Sequence, residues 1–554
     1  MTSGIERTGG RILVDQLVLN GTDTAFCVPG ESYLPVLDAL YDVRERVRLI
    51  TCRHEASAAN MAEAYGKLTG RPGVAMVTRG PGAFHASVGV HTAAQDSTPM
   101  ILFIGQVGTR WRGREAFQEV DFEKVFGDVA KWAVQIDHAE RIPEIVGRAF
   151  TMAMSGRPGP VVIALPEDVL SACVTVGDAR PSRPLRPVPA PADLNEFAAM
   201  LRAAERPLLV VGGAGWSGRA REHLHALSAA HGLPVVSSFR RQDLFDNDAP
   251  TYAGTLGPGV NPELARRFAE SDLIVALGTR LGELPTAGYT LLEPPRPAQR
   301  LVHIHPGTEE LDRVYQADLS ILSGSGEFLA ALTARPALLG GLGDRRREWA
   351  AAMRRTYLGF STWSGEATAG HVDLGAAVDH LNQALPADAV ITNGAGNYTI
   401  WAHRHYRFTR PRTQLAPTSG AMGYGLPAGL AAKVVHPERD VVVFAGDGCF
   451  LMAATELATA VQYGLDVIVL VVNNGGYGTI RMHQERRFPG RVSGTDLRNP
   501  DFAAFAESFG AYGERVRTTA DFPDALDRAR KAGRPAVLEL LVDPKQLTPA
   551  MRLP

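Results

Sequence analysis

Two short polar clusters in the last third of the chain carry the residue types a metal would want. Asp447 sits in Gly446-Asp447-Gly448, and Asn474 closes an Asn-Asn pair followed by Gly475 and Gly476. A hard divalent cation such as Mg2+ takes oxygen ligands in near-octahedral geometry and shares them with phosphate groups. A carboxylate from Asp447, an amide oxygen from Asn474 and a loop carbonyl from Gly476 would leave positions for phosphate oxygens and a water. The glycines at 446, 448, 475 and 476 let backbone N–H groups come close to such phosphates. Gly-Asp-Gly alone reads as an ordinary strand-end turn; its pairing with Asn-Asn downstream gives it chemical content.

The elements that must position these groups are legible around them. Residues 441–445 and 467–472 are nearly continuous apolar, β-branched runs, the pattern of strands buried on both faces of a parallel sheet. Between them, 451–463 has helix-forming composition and is closed by Gly464. A right-handed crossover makes the two strands parallel, so Asp447 and Asn474 leave the sheet on the same edge.

The rest of the chain is consistent with a large α/β protein. It has 554 residues, 45% hydrophobic, with 57 Gly and 37 Pro, which predicts about three domains. A formal net charge of −2 gives no global electrostatic case for nucleic acid or an anionic membrane. The Arg clusters at 345–347 and 354–355 read as solvated helix faces. Four cysteines, none in a CxxC pair, indicate neither zinc nor a disulfide framework. No run approaches a membrane span and the first residues lack a signal-peptide apolar core, so the expectation is cytoplasmic.

Composition divides the chain into three blocks: 1–176, 190–333 and 371–547. The proline-dense stretch 179–194 reads as an extended linker. A less regular stretch, 334–370, separates the second block from the third. The expected fold class is α/β, three domains each built on a parallel sheet.

Gly-Asp-Gly followed by Asn-Asn resembles the signature of the thiamine diphosphate (ThDP) enzymes. The resemblance covers essentially the whole chain and is closest to the acetolactate synthase branch. It implies a pyrimidine-binding first domain, a central Rossmann-like domain and a diphosphate-binding third domain. It also implies Mg2+ held by Asp447, Asn474 and Gly476. Glu55, in Arg-His-Glu, matches the acid that hydrogen-bonds the aminopyrimidine and promotes loss of the thiazolium C2 proton. A surface Glu at a helix start would otherwise be read as a response to the helix dipole. Met422 matches the apolar wedge that bends the cofactor, and the backbone of Gly420 and Met422 matches its pyrimidine contacts. Gly396, Asn397 and Tyr398, with Gly446, Gly448, Cys449 and Tyr477, fall in the diphosphate-contact stretches. Gly80-Pro81-Gly82, a turn after a strand, matches a cofactor-approach loop, and Gln106 an active-site glutamine. Phe117, Gln118 and Glu119 also match that branch.

The resemblance thins around the substrate. His483 stands where acetolactate synthases carry a Trp, and Phe84 and His85 where they carry Thr and Asn; Arg79 replaces a small residue. Glu485 reads as a candidate proton shuttle or a solvated carboxylate. In the central block Arg280 matches a flavin-contacting Arg, but Gly282, Glu283 and Leu284 replace the Asp-Asp-Arg run. FAD, a coenzyme A-type nucleotide and an empty domain all stay open. The implied function is a ThDP- and Mg2+-dependent decarboxylating carboligase acting on a 2-oxo acid. The alternatives are a C–C lyase or decarboxylase, such as a 2-hydroxyacyl-CoA lyase, and a non-catalytic ThDP-binding protein. The implied assembly is a homo-oligomer, dimer or tetramer, with active sites between subunits, and with neither nucleic acid nor membrane as partner.

Overall fold

Residues 5–340, 346–365 and 370–553 are described by the computed structural model. Three six-stranded parallel sheets follow one another along the chain. The first comprises Thr24–Cys27, Arg48–Thr51, Gly73–Val77, Met100–Gln106, Trp132–Gln135 and Pro160–Pro166. Its strands lie side by side in the order second, first, third, fourth, sixth, fifth. The third sheet repeats that order with Val390–Asn393, Gln414–Leu415, Val441–Gly446, Ile468–Asn473, Tyr512–Val516 and Ala536–Leu541. The middle sheet, Pro207–Val211 to Leu319–Leu322, runs third, second, first, fourth, fifth, sixth, the doubly wound order of Rossmann folds.

Both expected strands of the metal unit form. Every residue of Val441–Gly446 is buried, as is Ile468–Asn473 up to its last position, because helices cover both faces of the sheet. Gly446 lies opposite Val472 in register, which brings Asp447 and the Asn-Asn pair out level with each other.

Several expectations need correction. The single helix over 451–463 is three pieces: Asp447–Leu451, a 3-10 turn Ala454–Glu456, and Leu457–Tyr463. The first piece begins at Asp447 itself, an acidic residue placed at the positive end of a helix. Gly80-Pro81-Gly82 is the opening turn of helix Gly80–Asp96 rather than a loop; proline fits a first helical turn, where its missing N–H leaves no bond unmade. The stretch 334–370 contains helix Arg347–Ser361, which buries Ala350, Met353 and Tyr357 at helical spacing. Arg346 is buried, not solvated, and donates to the carbonyls of Leu201 and Ala204. Arg345 lies outside the described residues.

The first and third domains also touch within one chain. Helix Glu55–Thr69 packs against helix Gly425–Val435, and Ala62, Leu68, Leu426 and Leu430 share one apolar core. The middle domain and linkers do not hold the two apart. Among the described residues no helix is long and apolar enough to cross a membrane.

Candidate functional site

In the third sheet the strand order reverses between Val390–Asn393 and Val441–Gly446, and ligands of open α/β sheets bind beyond the strand ends at such a point. A cavity of about 240 Å3 lies there. Asp447, Asn474 and Gly476 line it together with Gly446, Gly448, Cys449 and Tyr477. Gly396, Asn397 and Tyr398, beyond the neighbouring strand, line it too, as do Gly420 and Met422. Every lining residue belongs to the third domain.

Local bonds explain the shape of this cavity. Asp447 is 3% exposed. Its carboxylate accepts from Gly448 N at 2.8 Å and from Asn499 Nδ2 at 2.7 Å. Burial pushes the carboxyl above its ordinary range, while these hydrogen bonds pull the other way. The Asn474 side chain accepts from Gly476 N at 3.2 Å, curling the loop back on the strand end. Asn473 does not line the cavity: its amide donates to the buried Glu539 at 2.7 Å, and its oxygen accepts from Gly475 N at 3.1 Å and from Asn499 Nδ2 at 2.9 Å. Tyr398 packs against Gly446, where an added Cβ would sit 2.9 Å from its ring, and Gly448 meets Tyr477 more closely still, at 2.5 Å. Cys449 Sγ accepts the Tyr398 hydroxyl at 3.3 Å and Gly423 N at 3.2 Å, tying the Met422 loop to the Gly-Asp-Gly helix.

This donor set fits a divalent cation. Asp447 is a buried carboxylate with no salt-bridge partner among the described residues, and the nearby Asn499 Oδ1 is a buried acceptor without a donor. Asn499 was invisible in the sequence, where Asn-Pro reads as any turn. Trp401 and Asp373, which also line the cavity, gave no signal either.

The remaining candidates form a second patch, on the first domain. Glu55 opens helix Glu55–Thr69, whose N-cap His54 accepts from Ala56 N through Nδ1. The backbone N–H groups of Arg53 and His54 both donate to Glu456 of the third domain at 3.0 Å, so a buried carboxylate from another domain caps this helix. Gly82 lies against the Glu55 carboxylate, and Gly80 against Gln118 and Val120. Pro81 sits between them on the same helical turn. Gln106 is fully buried; its amide donates to Val120 O at 2.7 Å and accepts Val107 N at 3.0 Å. Through its bond to Val120 O, Gln106 anchors the 118–120 segment.

Glu55 does not line the cavity of its own chain. Nor do His483 and Glu485, although they share helix Gly478–Arg487 with the lining residues Thr479 and Ile480. His483 is exposed. Glu485 is engaged by Arg481 at 2.7 Å and by Gly490 N at 3.1 Å. Arg280 donates to Gln95 O of the first domain at 2.6 Å.

Comparison with known proteins follows the same three-part division. The thiamine pyrophosphate enzyme N-terminal TPP binding domain matches residues 7–125, the central domain 194–332 and the C-terminal TPP binding domain 394–540. The acetolactate synthase large subunit of Corynebacterium glutamicum is 31% identical over 97% of this chain and 87% of its own length. The isozyme 2 large subunit of Escherichia coli is 32% identical over 97% of this chain and 95% of its own. The large subunit of Mycobacterium tuberculosis is 33% identical, covering 97% and 88%.

Proposed function

We propose that this chain, which belongs to the thiamine pyrophosphate enzymes alongside the acetolactate synthases, is a ThDP- and Mg2+-dependent carboligase that decarboxylates a 2-oxo acid and joins the remaining acyl unit to a second carbonyl compound. The observation that carries the reading is Asp447, buried without a cationic partner at the switch point of the third sheet, in one cavity with Asn474 and Gly476. Bound ThDP supplies an electron sink for the decarboxylated carbon.

In this reading Asp447, Asn474 and the Gly476 carbonyl hold Mg2+. Gly396, Asn397, Tyr398, Gly446, Gly448, Cys449 and Tyr477 surround the diphosphate, and Gly420 and Met422 meet the pyrimidine end. Glu55 donates its proton to the aminopyrimidine ring, with Gly80-Pro81-Gly82 alongside and Gln106 behind. The functional units are 1–176, 190–333 and 371–547. Since Glu55 does not line the cavity of its own chain, in this reading it comes from a second copy, and the site is completed in a water-poor cleft between subunits. For the central domain FAD stays an open occupant: Arg280, the best-matched flavin residue, donates to Gln95 O through one guanidinium nitrogen. Four free thiols fit a reducing cytoplasm.

Incubation of purified protein with ThDP, Mg2+ and a panel of 2-oxo acids tests the proposal. Release of CO2 together with a condensed product, absent when either cofactor is omitted, is expected. Cleavage of 2-hydroxyacyl thioesters without condensation of 2-oxo acids would transfer the assignment to the lyases.

A further inference from the structure

The loop joining Gln414–Leu415 to helix Gly425–Val435 brings Gly420 and Met422 into the cavity. Residues on either side of that tip are held by side chains of the other two domains. Lys67 Nζ donates to Ala416 O at 3.1 Å, and Arg240 of the middle domain donates to Pro417 O. Thr418 N donates to Asp96 Oδ1 at 2.9 Å, and the Ser419 hydroxyl lies 3.1 Å from that of Thr92. The Tyr424 hydroxyl donates to Glu63 Oε2 at 2.5 Å. Only the tip itself, 420–423, is left to the third domain, through the Gly423–Cys449 contact.

The anchors form one buried charge cluster. Lys67 bridges Asp96 Oδ2 at 2.6 Å and Glu63 Oε1 at 3.2 Å, and the two carboxylate side chains are completely buried. Thr98 donates to Glu63 at 2.7 Å, and Arg241 donates to Asp96 O at 2.9 Å. Burial drives Glu63 toward its neutral form. Burial opposes ionisation of Asp96 as well, but Lys67 and Arg241 hold it below the usual carboxylate range. A buried pair of this kind is a poor source of stability, because desolvation offsets the attraction, but it fixes geometry where its hydrogen bonds are complete.

We propose that Lys67 and Asp96 are positioning residues for the cofactor site, fixing the 416–419 segment so that Met422 projects into the cavity. The inference rests on the ThDP reading of that cavity. It makes the shape of the pyrimidine pocket depend on the first domain of the same chain, in addition to the Glu55 brought by another copy.

Two variants test it. Lys67→Met removes the bond to Ala416 and leaves Asp96 only the more distant Arg241, at 3.7 Å, as a cationic partner, and is expected to destabilise the fold. Lys67→Met/Asp96→Leu replaces both charges with apolar groups and is expected to fold with near-parental thermal stability. In the double variant without cofactor, amide hydrogen exchange across 416–424 should accelerate at least tenfold, with Thr418 foremost, while exchange in the central strands stays unchanged. ThDP affinity, followed by quenching of Trp401, should fall at least tenfold, and cofactor C2 exchange at saturating ThDP should slow. Parental loop exchange, ThDP affinity and C2 exchange in the folded double variant would overturn the proposal. Failure of the unmodified protein to bind ThDP would instead overturn the reading of the cavity.

Discussion

His85 Nδ1 lies 2.9 Å from Glu55 Oε2, so the acid expected to activate the cofactor already has a partner on one oxygen. The ring of His85 also lies 4.6 Å from that of His54, the residue that caps the Glu55 helix. Burial, reinforced by His85, keeps His54 below the ordinary histidine range. The same carboxylate is bounded by Gly82, which leaves it few orientations.

Two substitutions follow from that relationship. Glu55→Gln keeps the size but loses the acidic proton; the variant should bind ThDP and exchange the C2 hydrogen orders of magnitude more slowly. His85→Ala removes one hydrogen bond to the Glu55 carboxyl group, a loss of about 0.5–1.5 kcal/mol for an ordinary hydrogen bond, so C2 exchange should slow about two- to tenfold. Unchanged exchange in His85→Ala would make the His85 contact incidental.

Removal of Asp447 should be more drastic. Asp447→Ala deletes the one carboxylate of the proposed Mg2+ ligand set, so ThDP binding should be lost at ordinary Mg2+ concentrations and activity with it. Asn499→Ala should give a milder version, because Asn499 only aims the carboxylate. Titration of both variants with ThDP at several Mg2+ concentrations distinguishes them. Normal affinity in Asp447→Ala would remove that residue from the site.

Acid should destabilise the protein through buried neutral histidines. Burial, helped by Arg240, drops His403 to about 3, and burial drops His305 to about 4. The unfolded chain takes up these protons near the ordinary histidine value, the native chain only far below it. Stability therefore rises with pH between about 4 and 6.5, by about 1.4 kcal/mol per pH unit for each such histidine, and levels off above. His403→Gln, which can still meet Asn393, should flatten the slope in denaturant melts across that window. An unchanged slope would mean that His403 is protonated in the folded state.

The catalytic edge was legible because it is written in local pattern. Continuous apolar runs locate parallel strands, and the polar residue after each run must fall on the strand-end edge, which is how Asp447 and Asn474 could be paired across a crossover. What the sequence hid was made by contacts between distant segments. Glu456 caps the Glu55 helix from another domain, and Asn499 orients Asp447 from a turn with no signature of its own. Gly80-Pro81-Gly82 suits a turn and a first helical turn equally, and packing against Glu55 and Val120 chooses the second. Arg346 looked solvated because its partners are backbone carbonyls, which no side-chain pattern announces.

The assembly prediction rests on the separation of the two patches. The cavity of one chain is lined by the third domain alone, while Glu55 sits on the first domain beside exposed Phe84 and His85. Ile480 at the cavity mouth is exposed as well, and Phe488 lies exposed at the end of the same helix. Apolar side chains of this size left open on both faces are the composition of a surface that a partner covers. If the first domain of one copy closes the third-domain cavity of another, a dimer has two sites, each drawing Glu55 from one chain and Asp447 from the other. Glu55→Gln and Asp447→Ala subunits are each inactive alone. In a mixed dimer one site carries both changes and the other carries neither. Mixing under conditions of subunit exchange should therefore restore activity in proportion to the mixed dimers formed, with at most one working site in each. Confirmed exchange without any recovery would show that each site is completed within a single chain.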